Sequence, residues 1–256
     1  MIYKRVAARL RAQDWVAILI EIGIVIVGVF IGTQVSNWNA TRLERAQTQR
    51  MLVQLSPQIR DFRDYMVAAQ RYFSVTRAYS SIALAGWRND PKINDRDFVI
   101  AAYQASQIYG FGANGSTWGS VLGSDRLRDI NDAEMRTELA YLASSDYSNV
   151  SEAAIDTPYR RNVRRIIPVA IQDGIRAHCG DQFDPGRPFV VLLPRQCTLQ
   201  ILPGDARSAA AALRAHPDLS QDLQWQIAAV DAFDENLRGF DYAARTLLKD
   251  IAQGRS

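Results

Sequence analysis

Apolar residues form one unbroken stretch near the start of the chain, residues 15–35, in which Glu21 is the only charged side chain. About 20 apolar residues in a helix cross the ~30 Å hydrocarbon core of a bilayer. A soluble core helix of this length would need a polar outer face, and the stretch offers little more than Glu21, Thr33 and Gln34. The pattern therefore predicts a transmembrane helix over residues 15–36.

Tryptophan stands at both ends of this stretch. Trp15 and Trp38 are 23 residues apart, about 35 Å along a helix, which places one indole near each membrane interface. The alternative is a cleaved signal peptide, but its apolar region would be shorter, about 7 to 15 residues. Cleavage after Ala40 would also put Trp38 where a small residue is needed. We interpret the segment as an uncleaved anchor.

The charges on either side of the anchor predict its orientation. Before it lie four basic residues and one acid, whereas residues 41–50 mix three arginines with Glu44. Cytoplasmic flanks of membrane helices are enriched in Lys and Arg. We therefore expect a short cytoplasmic tail (1–14) and an exported domain (37–256), as in a protein of the bacterial inner membrane with its domain in the periplasm or outside the cell.

One face of the predicted anchor is suited to a helix partner. Glu21, Val25, Gly28 and Gly32 follow one another at four- and three-residue spacing, and the two glycines form a GxxxG pair. Glycines let two helix backbones approach closely, and a carboxylic acid in hydrocarbon gains from a partner on the neighbouring helix. This predicts a homodimer or pairing with another membrane protein. Alternatively, the glycines are ordinary membrane-helix composition and Glu21 reaches the headgroups.

The rest of the chain has mainly helical periodicity. Apolar residues recur every three or four positions between Leu52 and Ala83, and again between Leu219 and Ile251. Further helices are predicted at 95–109, 132–149 and about 158–178, and Pro57 suggests a fresh helix start. The fold class is therefore mainly α: a transmembrane helix followed by an all-helical bundle whose first and last helices are long and could lie antiparallel.

One segment departs from helical periodicity. Residues 189–204 carry β-branched runs interrupted by Pro194 and closed by Pro203, which predicts a small β-hairpin or extended flap near 189–202. Cys179 precedes this segment and Cys197 lies within it. In an oxidising compartment the two could form a disulfide that stabilises the fold by about 3 kcal/mol. Two unpaired buried thiols are the alternative.

The anchor and a central segment together resemble a bacterial family. The first match is Glu21, Gly28, Gln34, Asn37, Trp38 and Asn39, and the second lies in residues 116–139 at Thr117, Trp118, Leu127, Ile130, Asp132, Arg136 and Leu139. The chain is similar here to a family of uncharacterised single-pass membrane proteins. It departs from the family pattern at Gly32, Thr33 and Ala40. The resemblance implies the single-pass topology. The family has no known activity that could be carried over to this chain.

The charged residues exclude only a few classes of partner. The chain has 30 basic and 27 acidic residues, a balance that argues against a nucleic-acid partner. One local cluster stands out: Arg160, Arg161, Arg164 and Arg165. It could hold anionic headgroups or an acidic partner. It could equally be a solvated helix face.

Catalytic, cofactor and metal motifs are weak. Gly110, Gly112 and Gly115 match GxGxxG, but a helix rather than a strand is predicted before them. His178 and His216 could join the two cysteines around zinc, yet no short chelating pair exists, and no G-x-S-x-G elbow occurs. We assign no catalytic, cofactor or metal site. The sequence favours a non-catalytic interaction or scaffold role; the alternative is an exported ligand-sensing module or hydrolase with its site near residues 110–125.

Overall fold

The computed structural model describes residues 15–109, 127, 130–144 and 157–255. Within them lie seven helices and one small antiparallel sheet. The helices are α1 (Trp15–Trp87), α2 (Asp95–Gln104), α3 (Ala133–Ser144), α4 (Pro158–Ile166), α5 (Val169–Cys179), α6 (Pro203–Arg214) and α7 (Asp218–Ala252); the strands are β1 (Gln182–Asp184) and β2 (Arg187–Leu192). The predicted fold class, a helical bundle with long first and last helices, is confirmed.

Helix α1 is continuous over 73 residues, about 110 Å. The predicted fresh start at Pro57 is wrong, because the helix passes straight through it. Proline has no N–H and leaves the Val53 carbonyl without its helical donor. Pro57 and Val53 both lie on the exposed side of the helix, whereas Leu55 and Ile59 pack into the core. Water can therefore bond the freed carbonyl while packing holds the helix together.

The core of the bundle begins where α1 meets α7. From Thr48 onward, α1 buries a residue every three or four positions, including Leu52, Ile59 and Met66. The ring centroids of Phe62 and Phe240 are 6.4 Å apart and those of Phe73 and Phe233 5.1 Å apart. Later residues of α1 contact earlier residues of α7, so the two long helices are antiparallel.

Helix α2 packs tightly against the end of α1. A Cβ added to Gly86 would lie 2.1 Å from the Phe98 ring, so only glycine permits this approach. The chain reverses at Asn89, whose φ of 56° is left-handed, a conformation that asparagine tolerates better than most residues. Asn94 then caps α2 by accepting a hydrogen bond from the Asp97 N–H at 2.8 Å. Every residue from Phe98 to Gln104 is buried, which makes α2 the central helix.

Prolines explain two of the differences between the predicted and the observed helices, whereas the helix predicted over 95–109 ends at Gln104 with no proline nearby. The single helix expected over 158–178 is two helices, since Pro168 cannot continue α4 and Ile167 before it is extended (ψ 126°). Helix α6 was not predicted, because Pro203 and Gly204 suggested a turn. Pro203 instead occupies the first turn of the helix, where its missing N–H costs nothing.

The β-hairpin lies earlier in the chain than predicted. Strand β1 pairs with β2 around a turn in which the Gly186 N–H donates to Asp184 Oδ1 at 2.9 Å. Residues 193–202, the second half of the predicted flap, form no helix or strand. An Asp-Pro-Gly turn at 184–186 sets the hairpin, and Pro194 prevents β2 from extending much further.

Candidate functional site

The apolar segment of α1 is exposed along its whole length. Trp15, Val25 and Phe30 are each about 60% exposed, and within the described residues this is the one stretch of helix long and apolar enough to cross a membrane. None of it is buried by the other residues that the structure describes. The segment is therefore not the core helix of a bundle formed by the residues that the structure describes.

The predicted pairing face lies on this exposed surface. Glu21, Val25, Gly28 and Gly32 are all exposed. Among the described residues, no atom outside the adjacent turns of the helix's own backbone comes within 4 Å of a Cβ built at either glycine. The same is true of Gly23, which lies about 140° away from Gly28 around the helix. Both faces are thus open to a second molecule, and only one has the GxxxG spacing.

A solvent-exposed stalk separates the apolar segment from the bundle. Residues 36–45 are exposed without exception, and burial is complete first at Thr48. The guanidinium of Arg42 lies 5.9 Å from the centroid of the Trp38 ring, a cation–π arrangement at the start of the stalk. From residue 36 to residue 47 the helix rises about 18 Å. The bundle is therefore joined to the apolar segment by continuous helix rather than by an irregular linker.

A second candidate site is a polar cavity of about 460 Å³ between α2, α4 and α5. We call it the arginine cavity. Its lining comprises Tyr103, Gln107, Ile108, Arg160, Arg164, Arg176, Gly180 and Asp181. Two of the four predicted arginines line it because Arg160 and Arg164 are one helical turn apart. Arg161 and Arg165 are exposed and are not part of the lining.

Hydrogen bonds hold the guanidinium groups of Arg164 and Arg176 in place. Arg164 Nη2 donates to Gln107 Oε1 at 2.7 Å and its Nε donates to Ser106 Oγ at 3.1 Å. The Arg164 guanidinium also lies 5.0 Å from the Tyr103 ring centroid. Arg176 Nη1 donates to the Tyr103 hydroxyl at 2.9 Å. The tyrosine thus carries one arginine on its face and another at its hydroxyl.

The electrostatics of the arginine cavity reflect crowded positive charge. Burial lowers the pKa of Arg164, and the charges of Arg160 and Arg176 lower it further. The Tyr72 hydroxyl donates to Oδ1 of Asp181, which also lines the cavity, at 2.7 Å. Burial, followed by the charge of Asp181, raises the pKa of Tyr72, so the tyrosine remains a neutral donor. The described residues that line the cavity contribute three guanidinium groups and one carboxylate.

The two cysteines are joined in a disulfide, with their Cα atoms 5.2 Å apart. The bond ties the end of α5 to the irregular segment 193–202. Gln104 Nε2 donates to the Cys179 carbonyl at 2.6 Å, and Arg96 Nη2 donates to the Cys197 carbonyl at 2.8 Å. Sulfurs bonded to each other cannot act as thiolate ligands, which removes the zinc alternative for this state of the chain.

The other candidate motifs contribute little to a site. His178 and His216 are exposed, and His178 Nδ1 lies 2.9 Å from the Gly174 carbonyl on its own helix. No group of three or more His, Cys, Asp or Glu side chains in the described part of the chain is arranged to hold a metal ion. Gly110, Gly112 and Gly115, with the proposed hydrolase region near 110–125, lie outside the described residues.

Sequence reasoning missed most of the arginine cavity. It identified Arg160 and Arg164, but it did not link Tyr103, Arg176 or Asp181 to them. These residues come from other elements and are brought together only by tertiary contacts. One such contact is the hydrogen bond of 2.7 Å from the Tyr159 hydroxyl to the Ala102 carbonyl, which joins α4 to α2.

The chain matches no protein-family model, no curated protein and no solved structure.

Proposed function

We propose that this is a single-pass membrane protein whose helical domain is held outside the cytoplasm as a non-catalytic interaction module of the cell envelope. The observation that carries the proposal is the continuity of α1. One helix contains the exposed apolar segment, the stalk and the first half of the bundle core.

The exposed apolar segment supports anchoring on energetic grounds. Its 21 residues extend about 32 Å, close to the thickness of the hydrocarbon core. Side chains such as Ile24, Ile26 and Phe30 are more than half exposed, and leaving so much apolar surface in water is unfavourable. A bilayer removes this surface from water, and the helix satisfies its own backbone hydrogen bonds there.

The flanking charges favour the proposed orientation. Lys4, Arg5, Arg9 and Arg11 precede the segment, and such an excess of basic residues is retained on the cytoplasmic side. The bundle would then lie on the opposite side of the bilayer, as expected for a domain whose two cysteines are joined. The location that fits is the bacterial inner membrane, with the bundle in the periplasm or outside the cell.

The partners that fit this arrangement are the lipid bilayer and a second copy of the chain. The Gly28 and Gly32 face is open, and close backbone contact between two such faces would bury Glu21 beside its counterpart. A different single-pass protein with a small-residue face is the alternative partner.

Membrane extraction tests the anchoring. We expect the full chain to stay in the membrane pellet after alkaline carbonate treatment. Joint Val25→Arg and Val29→Arg substitutions should release it, because each arginine near the helix centre costs about 2.5 to 3.5 kcal/mol. The matched control is Val53→Arg with Val169→Arg, since both valines are exposed in the bundle. Release of the unmodified chain, or retention of both double variants, would contradict the anchoring.

A further inference from the structure

We propose that Trp38 and Arg42 form a binding site for the phosphate group of an anionic phospholipid on the exported side of the membrane. The inference rests on the proposed anchoring and adds to it a preferred class of lipid. It starts from a contact at the beginning of the stalk, where the Arg42 guanidinium lies 5.9 Å from the centroid of the Trp38 ring. The two residues are one helical turn apart and share a face of α1.

The contact with Trp38 sets the depth of the Arg42 charge. The proposed span ends at Val35, and Trp38 and Arg42 follow it by three and seven residues, about 4.5 and 10.5 Å along the helix. The headgroup layer extends about 5 to 7 Å beyond the hydrocarbon core on each side. The backbone of Arg42 therefore lies just outside this layer. Its side chain reaches back toward Trp38, in the direction that helical side chains favour, and brings the charge to the level of the lipid phosphates.

The Arg42 guanidinium has no anionic partner within the part of the chain that the structure describes. No ion pair joins it to a carboxylate there. Glu44, the nearest acid in the sequence, is two residues further along, about 200° around the helix and so on the opposite face. Trp38 and Arg42 are both exposed. A lipid headgroup can therefore reach the guanidinium, which the face of the indole ring holds by a cation–π interaction.

The charge near the base of the stalk favours an anionic lipid over a zwitterionic one. Arg42, Arg45 and Glu44 are the charged residues between 36 and 45, which leaves an excess of one positive charge close to the headgroups. A phosphocholine headgroup offers a phosphate but also brings a cation, which this excess repels. A phosphoglycerol headgroup offers the phosphate alone. Guanidinium groups match phosphate oxygens in pairs, which makes arginine well suited to this contact.

The binding test uses photoreactive lipids and the full chain reconstituted in nanodiscs of phosphatidylcholine and phosphatidylglycerol, at neutral pH and low salt. A small, equal fraction of either lipid carries a diazirine on its acyl chain next to the ester, so the two probes differ only in the headgroup. Mass spectrometry of peptides measures the labelling of residues 33–38. This readout is local to the exported end of the helix, so the basic residues within 1–14 do not contribute to it.

We expect the phosphatidylglycerol probe to label residues 33–38 about fivefold more than the phosphatidylcholine probe, the effect of one arginine at an anionic surface. Arg42→Gln should reduce this ratio to near one. Arg50→Gln is the matched control, because Arg50 is also an exposed arginine of α1 but lies about 22 Å beyond Val35. That is more than a Debye length from the headgroups, so the control should keep the ratio of the unmodified chain.

A third variant separates the positioning role of the indole from the charge of the arginine. Trp38→Leu keeps an apolar residue near the interface and removes the aromatic face that holds the guanidinium. The ratio should fall at least twofold although Arg42 is still present. An unchanged ratio in this variant would overturn the assignment of Trp38 to the site.

The outcomes distinguish this proposal from the anchoring on which it rests. A preference for phosphatidylglycerol that is lost in Arg42→Gln and kept in Arg50→Gln supports the proposal. Equal labelling by the two probes, an unchanged preference in Arg42→Gln, or the same loss in both arginine variants would overturn it. The anchoring would stand in each of these cases, because the segment is still labelled from the membrane. Absence of labelling by either probe would contradict the anchoring itself and the lipid site with it.

Discussion

Arg63 Nε lies 2.9 Å from Asp241 Oδ1 and joins α1 to α7 in the middle of their antiparallel interface. The Asp241 side chain is only 8% exposed, and Arg245 on its own helix pairs with it as well. Because α1 also contains the apolar segment, this ion pair connects the last helix of the bundle directly to the helix that carries that segment.

Removal of the Asp241 carboxylate should destabilise the bundle. We expect Asp241→Ala to lower the free energy of unfolding by about 1 to 3 kcal/mol, less than for a fully buried pair because Arg63 is one-third exposed. Chemical denaturation followed by circular dichroism measures the change. The control is Asp231→Ala, which breaks the exposed pair of Asp231 and Arg77 at 3.7 Å and should change stability by less than about 1 kcal/mol. Equal effects of the two variants would contradict a stabilising role for the ion pair between Arg63 and Asp241.

The cap of α3 should make stability depend on pH. Asp132 Oδ1 accepts from the Glu134 and Met135 N–H groups at 3.0 and 3.1 Å, and Oδ2 accepts from Arg255 Nε at 2.8 Å. The Met135 hydrogen bond first, and then the charge of Arg255, lower the pKa of Asp132. A carboxyl with a lowered folded-state pKa adds stability above its unfolded-state pKa, and this stability is lost as the pH falls through the folded-state pKa.

Asp132→Asn tests this pH dependence, since asparagine also caps helices but cannot ionise. The unmodified chain should be more stable than Asp132→Asn at pH 7. The difference should shrink below about pH 4, where the carboxyl begins to protonate in the unfolded chain. Denaturation midpoints measured from pH 7 down to pH 3 provide the comparison. A gap that stays constant over this range would show that ionisation of Asp132 contributes nothing.

The disulfide should be present in the chain isolated from cells. A maleimide that adds mass to free thiols should leave the denatured, unreduced chain unchanged, and it should label Cys179 and Cys197 after reduction. Cys197→Ser should lower the free energy of unfolding by about 3 kcal/mol, given the 18-residue separation of the two cysteines. Reductant should destabilise the unmodified chain to a similar extent and leave the variant unaffected. Full labelling before reduction would show that the thiols are free.

The open glycine face predicts a position-specific effect on self-association. Gly28→Ile should weaken pairing in a membrane dimerisation reporter, because the larger side chain keeps the two backbones apart. Gly23→Ile is the matched control, with the same substitution on another face of the same exposed segment. If both variants associate as strongly as the unmodified helix, or lose association equally, the GxxxG face is not the contact surface.

Periodic burial explains why the long helices could be predicted. On α1 and α7 the buried residues recur every three or four positions, and this spacing is visible in the sequence. Proline was harder to interpret, since its effect depends on where along a helix it lies and on the packing of the residues around it. Pro57 is exposed and tolerated, Pro168 ends a helix, and Pro203 starts one.

The arginine cavity illustrates what sequence spacing does not contain. Arg160 and Arg164 share a helix face at four-residue spacing, so their proximity was predictable. Tyr103 is 73 residues from Arg176, and Tyr72 is 109 residues from Asp181. Contacts over such distances follow from the way α1 and α2 pack against α5 and the residues just after it, for which no local pattern exists. All members of the glycine face lie on one helix, so their spacing alone places them on a single face. Their pairing with a second helix stays a prediction.

Paired reporter fusions at the C-terminal end of the full chain test the central claim most directly. One reporter is active only outside the cytoplasm and the other only inside it. The proposed anchor predicts activity of the external reporter alone, and joint Val25→Arg and Val29→Arg substitutions should abolish it. Activity of the cytoplasmic reporter in the unmodified chain, with a silent external one, would contradict a membrane-spanning segment at 15–35 that holds the bundle outside the cytoplasm.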